Sequence, residues 1–314
     1  MKRTIFLLAT SLCWAQRPAD PTLVIPQDAP ELMASVDDSP FTMPEGVSMV
    51  PPAAVAFDAK GHIYVLSRGK QALFEFDADR KYIRSFGDGL LTRAHGLRID
   101  RDGNIWVTDV GGHVALKLNP KGEVLLTLGV KGEAGEWNEA AGSRKLNQPN
   151  DIAFAPNGDV FISQGHTAGG ADPRVLKFDK NGKFLLSWGG RGTEPGKFTA
   201  AHGLALDARG LLWVVDRENQ RIEIFDQNGK FQREIKYAGL PCSLAFGAQN
   251  IYMVNGFAGQ LLKLDLDGKV LAATGKPGKG ANQYGEAHFV NVSPRGEIFT
   301  ADTVNGVMQR YVVK

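Results

Sequence analysis

The sequence repeats one short pattern six times, and this repeat limits the possible fold more than any other feature. Each copy has a three-residue strand of apolar and aromatic residues after a turn, at residues 63–65, 105–107, 160–162, 212–214, 251–253 and 298–300. A second, alternating strand follows in five copies, and four of these continue into a turn that ends in glycine. Units of about 40–50 residues with four short strands are typical of propeller blades, because one twisted sheet cannot bury its faces alone. We therefore predict an all-β, six-bladed β-propeller.

The sixth copy of the repeat stops one strand short. Its third strand runs to the end of the chain at residues 311–314, so the fourth strand of that blade must come from elsewhere. We predict that the N-terminal segment around residues 32–36 fills this position and closes the ring. The propeller then spans residues 44–314, after an N-terminal segment at residues 16–43. Residues 130–146 and 167–173 interrupt the period and are expected to form longer loops over one face.

The first residues predict export. Lys2 and Arg3 precede an apolar run at residues 5–12, and Ala15 offers a small residue for cleavage, so residues 1–15 are expected to be a signal peptide. The expected location is secreted or periplasmic. Export leaves Cys242 as the one cysteine, which excludes an internal disulfide. The net charge of +2 is spread along the chain and argues against nucleic-acid binding, and no later apolar run has the roughly 20 residues of a membrane span.

One position in each copy, at the start of the innermost strand, faces the axis of the predicted ring. The six residues at this position are Ala53, His95, Asn150, His202, Cys242 and His288. The three histidines fall on blades two, four and six, so their imidazoles approach the axis a third of a turn apart. Three histidines with open coordination positions are typical of a catalytic zinc site. The alternative is that each histidine only fills its strand position and bonds to its neighbours.

A second set of acidic residues follows the same alternation. Asp109, Asp216 and Asp302 end the second strand of blades two, four and six. In an antiparallel pair this end lies beside the start of the first strand, so each aspartate is a candidate to accept the second ring N–H of its blade's histidine. The alternative is that the aspartates accept hydrogen bonds from loop amides. Cys242 is a conceivable fourth zinc ligand, which would make the site structural.

Two motifs resemble those of peptidyl-α-hydroxyglycine α-amidating lyase. They are Arg93-Ala94-His95-Gly96-Leu97 leading to Ile105-Trp106-Val107-Thr108-Asp109, and Ala201-His202-Gly203-Leu204 leading to Asp216-Arg217-Glu218-Asn219. The similarity extends from about residue 44 to residue 311. It implies an NHL-repeat propeller whose zinc is held by His95, His202 and His288. It also implies cleavage of a peptidyl-α-hydroxyglycine to an amide and glyoxylate, with Arg68 and Arg217 holding the substrate carboxylate.

The chain departs from the family's pattern at three positions. His166 stands where the family has a catalytic tyrosine, and it is either a base or a loop residue. Glu286 adds an acid to the pocket and is a second candidate catalytic residue. Phe289 replaces the aspartate that the resemblance assigns to a structural calcium, which argues against Ca²⁺ binding.

Three functions remain open at this point. The first is a zinc-dependent carbon–nitrogen lyase acting on a small molecule or peptide that carries a carboxylate. The second is a metal-dependent hydrolase or lactonase on the same scaffold. The third is a non-catalytic propeller that binds a ligand or protein. A monomer is expected, without nucleic-acid or membrane partners.

Overall fold

The computed structural model describes residues 20–166 and 172–314, and these form six four-stranded antiparallel sheets arranged in a ring. The innermost strands of successive blades contact one another, and the innermost strand of the last blade contacts that of the first. The all-β, six-bladed propeller predicted from the repeat is confirmed. The predicted signal peptide, residues 1–15, lies outside the described residues.

The strands follow one another along the chain in the order of the blades. They are β1 (Ala34–Asp37); β2 (Pro52–Phe57), β3 (Ile63–Ser67), β4 (Leu73–Phe76) and β5 (Tyr82–Phe86) of blade one; β6 (Ala94–Ile99), β7 (Ile105–Asp109), β8 (Val114–Leu118) and β9 (Val124–Leu128) of blade two; β10 (Trp137–Asn138) and β11 (Ser143–Arg144); β12 (Pro149–Phe154), β13 (Val160–Gln164), β14 (Arg174–Phe178) and β15 (Phe184–Gly189) of blade three; β16 (Ala201–Leu206), β17 (Leu212–Asp216), β18 (Arg221–Phe225) and β19 (Phe231–Lys236) of blade four; β20 (Pro241–Phe246), β21 (Ile251–Asn255), β22 (Gln260–Leu264) and β23 (Val270–Thr274) of blade five; β24 (Lys276–Pro277) and β25 (Gln283–Tyr284); and β26 (Ala287–Val292), β27 (Ile298–Asp302) and β28 (Val307–Val313) of blade six.

The ring is closed as the missing strand predicts. Strand β1 pairs antiparallel with β28, with Ala34 opposite Val313 and Asp37 opposite Arg310, and so becomes the outermost strand of blade six. The predicted segment at residues 32–36 overlaps this strand and begins two residues early. Pairing a sequence-distant segment to the last blade covers a strand edge that would otherwise be open.

The outermost strand of each blade is more exposed than the two strands before it. In blade four, β17 and β18 are buried throughout, whereas every residue of β19 is at least partly exposed. Apolar side chains from neighbouring blades pack against each other, and the fully buried indoles of Trp106 and Trp213 each belong to such an interface. The hydrophobic core is therefore a set of interfaces between blades, and the axis is left for polar side chains.

The segments between blades are short except where the repeat is interrupted. Residues 130–146 contain the small β10–β11 hairpin and the 3₁₀ helix Glu139–Ala141. The second predicted loop, residues 167–173, is described only at its last two residues. A further 3₁₀ helix, Pro21–Val24, precedes β1. In the described part of the chain, no helix is both long enough and apolar enough to cross a membrane.

Candidate metal centre

Three histidines meet at the axis of the ring. His95 on β6, His202 on β16 and His288 on β26 are each 1–2% exposed. The Nε2 atom of His95 lies 3.1 Å from that of His202 and 3.2 Å from that of His288. In each blade the pairing register shifts at the histidine, and such a bulge turns a side chain away from its regular direction. The repeat thus brings together the three imidazoles that the sequence placed on alternate blades.

Glycine follows the histidine on two of these strands because the next blade is too close for a side chain. A Cβ atom at Gly203 would lie 2.9 Å from the carbonyl oxygen of Cys242, and one at Gly96 would overlap the carbonyl oxygen of Asn150. The close approach lets the histidine ring reach the same carbonyl. The His-Gly pairs in the sequence are therefore a packing requirement of the axial histidines.

The second ring nitrogen of each axial histidine is bonded to the backbone of the next blade. Nδ1 of His95 lies 2.9 Å from the carbonyl oxygen of Asn150, and Nδ1 of His202 lies 2.8 Å from that of Cys242. Nδ1 of His288 lies 2.9 Å from the carbonyl oxygen of Ala53. A carbonyl only accepts, so each Nδ1 must donate. The six axial positions aligned from the sequence therefore form one ring, in which histidines alternate with the carbonyls that orient them.

This arrangement leaves three bare nitrogen lone pairs pointing at one another. Burial lowers the pKa of all three imidazoles below the ordinary value for histidine, so each is neutral and its single proton is on Nδ1. The short Nε2 to Nε2 contacts then have no hydrogen between them and are not hydrogen bonds. Neutral imidazole nitrogens converging in this way fit a divalent metal such as zinc, which would bind all three lone pairs.

The predicted support of the histidines by aspartates is wrong. Asp109 accepts hydrogen bonds from the amides of Thr92 and Arg93, which lead into β6. Asp216 and Asp302 accept the equivalent loop amides in blades four and six. Each carboxylate lies at the edge of its blade that the sequence predicts, but it faces the loop that leads into the first strand. The Nδ1 atom of each histidine is bonded instead to a carbonyl oxygen of the neighbouring blade. The alternative stated from the sequence, satisfaction of loop amides, is what the structure has.

A fourth imidazole lies beside the three axial ones. The ring of His166, which follows β13 of blade three, is centred 4.7 Å from that of His95 and 5.4 Å from that of His202. One nitrogen from each of the four rings lies within 4.8 Å of the others, and all four residues are buried. Sequence reasoning treated His166 as a base or a loop residue and missed this cluster. The position of His166 in the repeat could have indicated this cluster. His166 follows the second strand of its blade, and the loops after second strands lie on the same face of the ring as the axial histidines.

Cys242 does not join the cluster. Its Sγ atom points to the carbonyl oxygen of Leu240, 3.4 Å away, and burial raises the pKa of the thiol to about 12. A neutral thiol is a poor ligand for zinc, which takes the thiolate. The residue contributes its backbone carbonyl to the site, by orienting His202, and its sulfur is not among the ligand atoms that meet at the axis, so the geometry does not support the alternative of a fourth, sulfur ligand.

Arg68 lies directly beside the histidines. Its Nε donates to the carbonyl oxygen of Ala94 at 3.1 Å, and its Nη2 is 3.5 Å from Nε2 of His288. Burial lowers the pKa of this guanidinium to about 10, and the charge of Glu286 opposes that shift. The side chain therefore stays cationic at neutral pH, with one face toward the imidazole cluster.

Arg217 is also buried at the site, and it is already paired. Its Nε and Nη2 both donate to one carboxylate oxygen of Glu218, at 2.9 and 2.6 Å. Burial opposes the charge of Arg217, but Glu218 raises the pKa of the guanidinium above its ordinary value. This ion pair holds the guanidinium near the cluster.

Glu286 brings a carboxylate to the same pocket. Its Oε2 accepts a 2.6 Å hydrogen bond from the hydroxyl of Thr303, and the side chain is buried. Burial favours the protonated acid, but the interaction with His288, the charges of Arg217 and Arg68 and the bond from Thr303 lower its pKa below the usual range. Glu286 is therefore an ionised base inside a pocket of positive charge. All four predicted catalytic residues, Arg68, His166, Arg217 and Glu286, lie at the axial site.

The position implied for a structural calcium does not fit that ion. Phe289 is buried where the resemblance implies an aspartate, and the guanidinium of Arg98 lies 4.5 Å above its ring. An aromatic face offers no oxygen ligand to calcium, and the adjacent positive charge repels one.

Comparisons with known proteins agree with the fold and find relatives that include amidating lyases. The NHL repeat model matches residues 198–225. The chain is 32% identical over 289 residues to mouse peptidyl-glycine alpha-amidating monooxygenase, covering 81% of this chain and 27% of that protein. It is 26% identical over 264 residues to peptidyl-alpha-hydroxyglycine alpha-amidating lyase 1 of Drosophila melanogaster, covering 72% of this chain and 47% of the relative. The chain thus spans less than half the length of either relative.

Solved structures show the same architecture at low sequence identity. A gluconolactonase from Xanthomonas campestris superposes with a TM-score of 0.66 at 14% identity, covering 96% of this chain and all of the other. This likeness concerns the fold alone. The repeat and the sheet topology identify the chain as an NHL-repeat, six-bladed β-propeller, and its sequence relatives include peptidyl-α-hydroxyglycine α-amidating lyases.

Proposed function

We propose that this chain is a zinc-dependent lyase that cleaves the C–N bond of an α-hydroxyglycine-type substrate and releases an amide and glyoxylate. The observation that carries the proposal is the convergence of three unprotonated Nε2 atoms, of His95, His202 and His288, beside a partly buried Arg68. The kinship with amidating lyases supports the reaction type. Zinc bound to these nitrogens would act as a Lewis acid that lowers the pKa of a substrate hydroxyl.

The substrate carboxylate is assigned to the arginines. Arg68 is cationic and partly buried, and its Nη2 faces the histidines with only a long contact of 3.5 Å to Nε2 of His288, so we assign it as the principal anion site. A guanidinium binds a carboxylate through two parallel hydrogen bonds, a geometry that lysine cannot reproduce. Arg217 adds positive charge to the same pocket while Glu218 holds it in place. A substrate with a free carboxylate, either a small molecule or a peptide end, fits this pocket.

Proton removal is assigned to Glu286. The carboxylate is ionised and buried, and Thr303 orients it. In the reaction the hydroxyl loses its proton and its oxygen becomes the aldehyde oxygen of glyoxylate. The electron pair of the breaking C–N bond goes to the amide nitrogen, which takes up a proton. His166 is the second base in the pocket, and because its ring joins the imidazole cluster we assign it a place beside the metal.

The decisive experiment measures metal and products together. Purified protein is analysed for metal and incubated with an N-acyl-α-hydroxyglycine while glyoxylate and the amide are quantified. The proposal expects one zinc per chain and equal amounts of the two products. Stoichiometric zinc with no glyoxylate would exclude the lyase reaction and leave the metal site standing. Hydrolysis of a lactone under the same conditions would assign the site to the hydrolase alternative.

Variants separate the roles of the pocket residues. Arg68→Met is expected to raise KM strongly, because a carboxylate clamp acts on the bound substrate, and Arg295→Met at the exposed surface serves as the matched control. Glu286→Gln is expected to lower kcat by at least about 100-fold, the range for loss of a general base. If His166→Gln lowers kcat that far and Glu286→Gln does not, the two assignments are reversed.

We also propose that residues 1–15 direct export and that the mature protein acts as a monomer outside the cytoplasm. The basic start and short apolar run of the sequence support the first statement. N-terminal sequencing of protein recovered from the exported fraction tests it, with Gln16 expected as the first residue. Size-exclusion chromatography with light scattering tests the second.

A further inference from the structure

A largely buried arginine belongs to the innermost strand of blade two. Arg98 is on β6, three residues after His95, and its side chain is 13% exposed. Its guanidinium is surrounded by oxygen atoms of two other blades and by the aromatic ring of Phe289 from a third. None of these residues is needed for the proposed reaction.

The oxygen atoms around Arg98 form a set that a metal cation would also use. Nη2 donates to Oδ2 of Asp151 at 2.6 Å and to the carbonyl oxygen of Leu204 at 3.2 Å, and Nε donates to the carbonyl oxygen of Ile152 at 3.2 Å. One carboxylate and two backbone carbonyls are ligands typical of hard divalent cations. In this chain the planar guanidinium of Arg98 donates hydrogen bonds to these oxygens instead.

Both carboxylate oxygens of Asp151 accept hydrogen bonds within this group of residues. The residue is 1% exposed, and its two carboxylate oxygens also accept from the backbone amides of Ile152 and Leu204, at 2.8 and 3.0 Å. A buried carboxylate with no cation nearby is strongly unfavourable. The oxygen atoms around Arg98 therefore need one positive charge among them, from a metal ion or from a side chain.

On its other side the guanidinium of Arg98 faces an aromatic ring, which provides no ligand for a metal ion. The Cζ atom of Arg98 lies 4.5 Å from the centre of the Phe289 ring, a contact that favours a flat organic cation over a hydrated or oxygen-bound metal. The groups around Arg98 come from β12 of blade three, β16 of blade four and β26 of blade six. The contacts reach across the ring, and they involve two further strands that carry axial histidines.

We infer that Arg98 takes the place of a bound metal cation at the centre of this propeller and joins blades two, three, four and six through Asp151, Leu204 and Phe289. The chain then needs no structural calcium, because the positive charge between its inner strands belongs to one of its own side chains. This inference goes beyond the proposed lyase function and does not depend on it.

The first test compares melting temperatures of the metal-loaded protein in calcium-free buffer. Arg98→Met keeps the length of the side chain and removes its charge, and a drop of roughly 5–10 °C is expected from the uncompensated burial of Asp151. Arg101→Met, on the same blade and 67% exposed, is the matched control and should leave the melting temperature unchanged. If Arg98→Met fails to fold, the double variant Arg98→Met with Asp151→Asn removes both charges and should fold again. Equal melting temperatures for Arg98→Met and the control would overturn the inference.

The second test asks whether a calcium ion can bind at this position once the guanidinium is removed. A double variant with Arg98→Ser and Phe289→Asp removes the guanidinium and supplies a second carboxylate. It is expected to gain about 5 °C in melting temperature with 1 mM calcium, if calcium then exceeds the dissociation constant about 100-fold. The wild-type protein should not respond. A calcium response of the wild type, or none in the double variant, contradicts the assignment.

Discussion

Replacing Asp109 distinguishes support of the loop from support of the metal site. The carboxylate is fully buried and accepts four backbone amides. Oδ1 accepts from Arg93, Gly111 and Gly112 at 2.7, 3.1 and 2.9 Å, and Oδ2 accepts from Thr92 at 2.7 Å. These bonds fasten the loop before β6 to the turn after β7. The axial ring of His95 is bonded elsewhere, so Asp109 should influence stability without influencing metal binding.

The expected loss follows from the bonds that each variant removes. Asp109→Asn keeps an oxygen for the three amides at Oδ1 but presents an NH₂ group to the amide of Thr92. The loss of one bond to a charged acceptor costs about 1.5–3 kcal/mol. Asp109→Ala leaves all four amides without that acceptor, and partial access of water limits the loss to roughly 4–5 kcal/mol. At about 2 °C for each kcal/mol in a chain of this size, the melting temperature falls by roughly 4 °C and 9 °C.

The assay is thermal unfolding followed by circular dichroism, with metal content measured on the same samples. Both variants should keep the wild-type metal content below their melting temperatures. Asp102→Asn, 72% exposed in the neighbouring turn, is the control and should change neither quantity. Loss of metal from Asp109→Asn at unchanged stability would refute this reasoning, because it would mean that the carboxylate acts on His95.

Three further predictions follow from particular contacts. His202→Ala should abolish metal binding because it removes one of three converging nitrogens, whereas His62→Ala, outside the cluster, should bind normally by elemental analysis; full metal content in the first variant contradicts the axial site. Val36→Pro should lower the melting temperature by several degrees, because proline interrupts the pairing of β1 with β28, and Ser35→Ala should not. Burial raises the pKa of Glu223 to about 7, so the folded protein holds this proton more tightly than the unfolded chain and loses stability as the pH rises from about 4.5 to 7. Glu223→Gln should therefore gain melting temperature over the wild type at pH 8 but not at pH 4.5, and an equal difference at both would contradict the shift.

Much of the fold could be predicted because its determinants are local. Alternating apolar residues and glycine-containing turns define each strand pair within a few residues, and the strand missing from the sixth copy pointed to residues near β1. The axial histidines could be found for the same reason. Equivalent positions of a repeat occupy equivalent places in a ring, so alignment of six copies also located the three carbonyl-bearing positions, at Ala53, Asn150 and Cys242.

The partners of these residues could not be predicted in the same way. The sequence placed Asp109, Asp216 and Asp302 at the correct edge of their blades, yet which donor each carboxylate faces depends on differences of an ångström or two between a loop amide and a ring nitrogen. The place of His166 in the imidazole cluster likewise depends on distances between blades three, two and four, which the sequence does not give.

By itself, the sequence determined the number of blades, the way the ring closes and the three imidazoles on the axis, since each follows from a short pattern and its repetition. Only the tertiary structure decided the chemistry between blades: the carbonyls that leave three Nε2 lone pairs bare, and the guanidinium of Arg98 between Asp151 and Phe289. Those contacts join residues about 40 to 235 positions apart, and their strength depends on burial and direction, which exist only after the blades have packed.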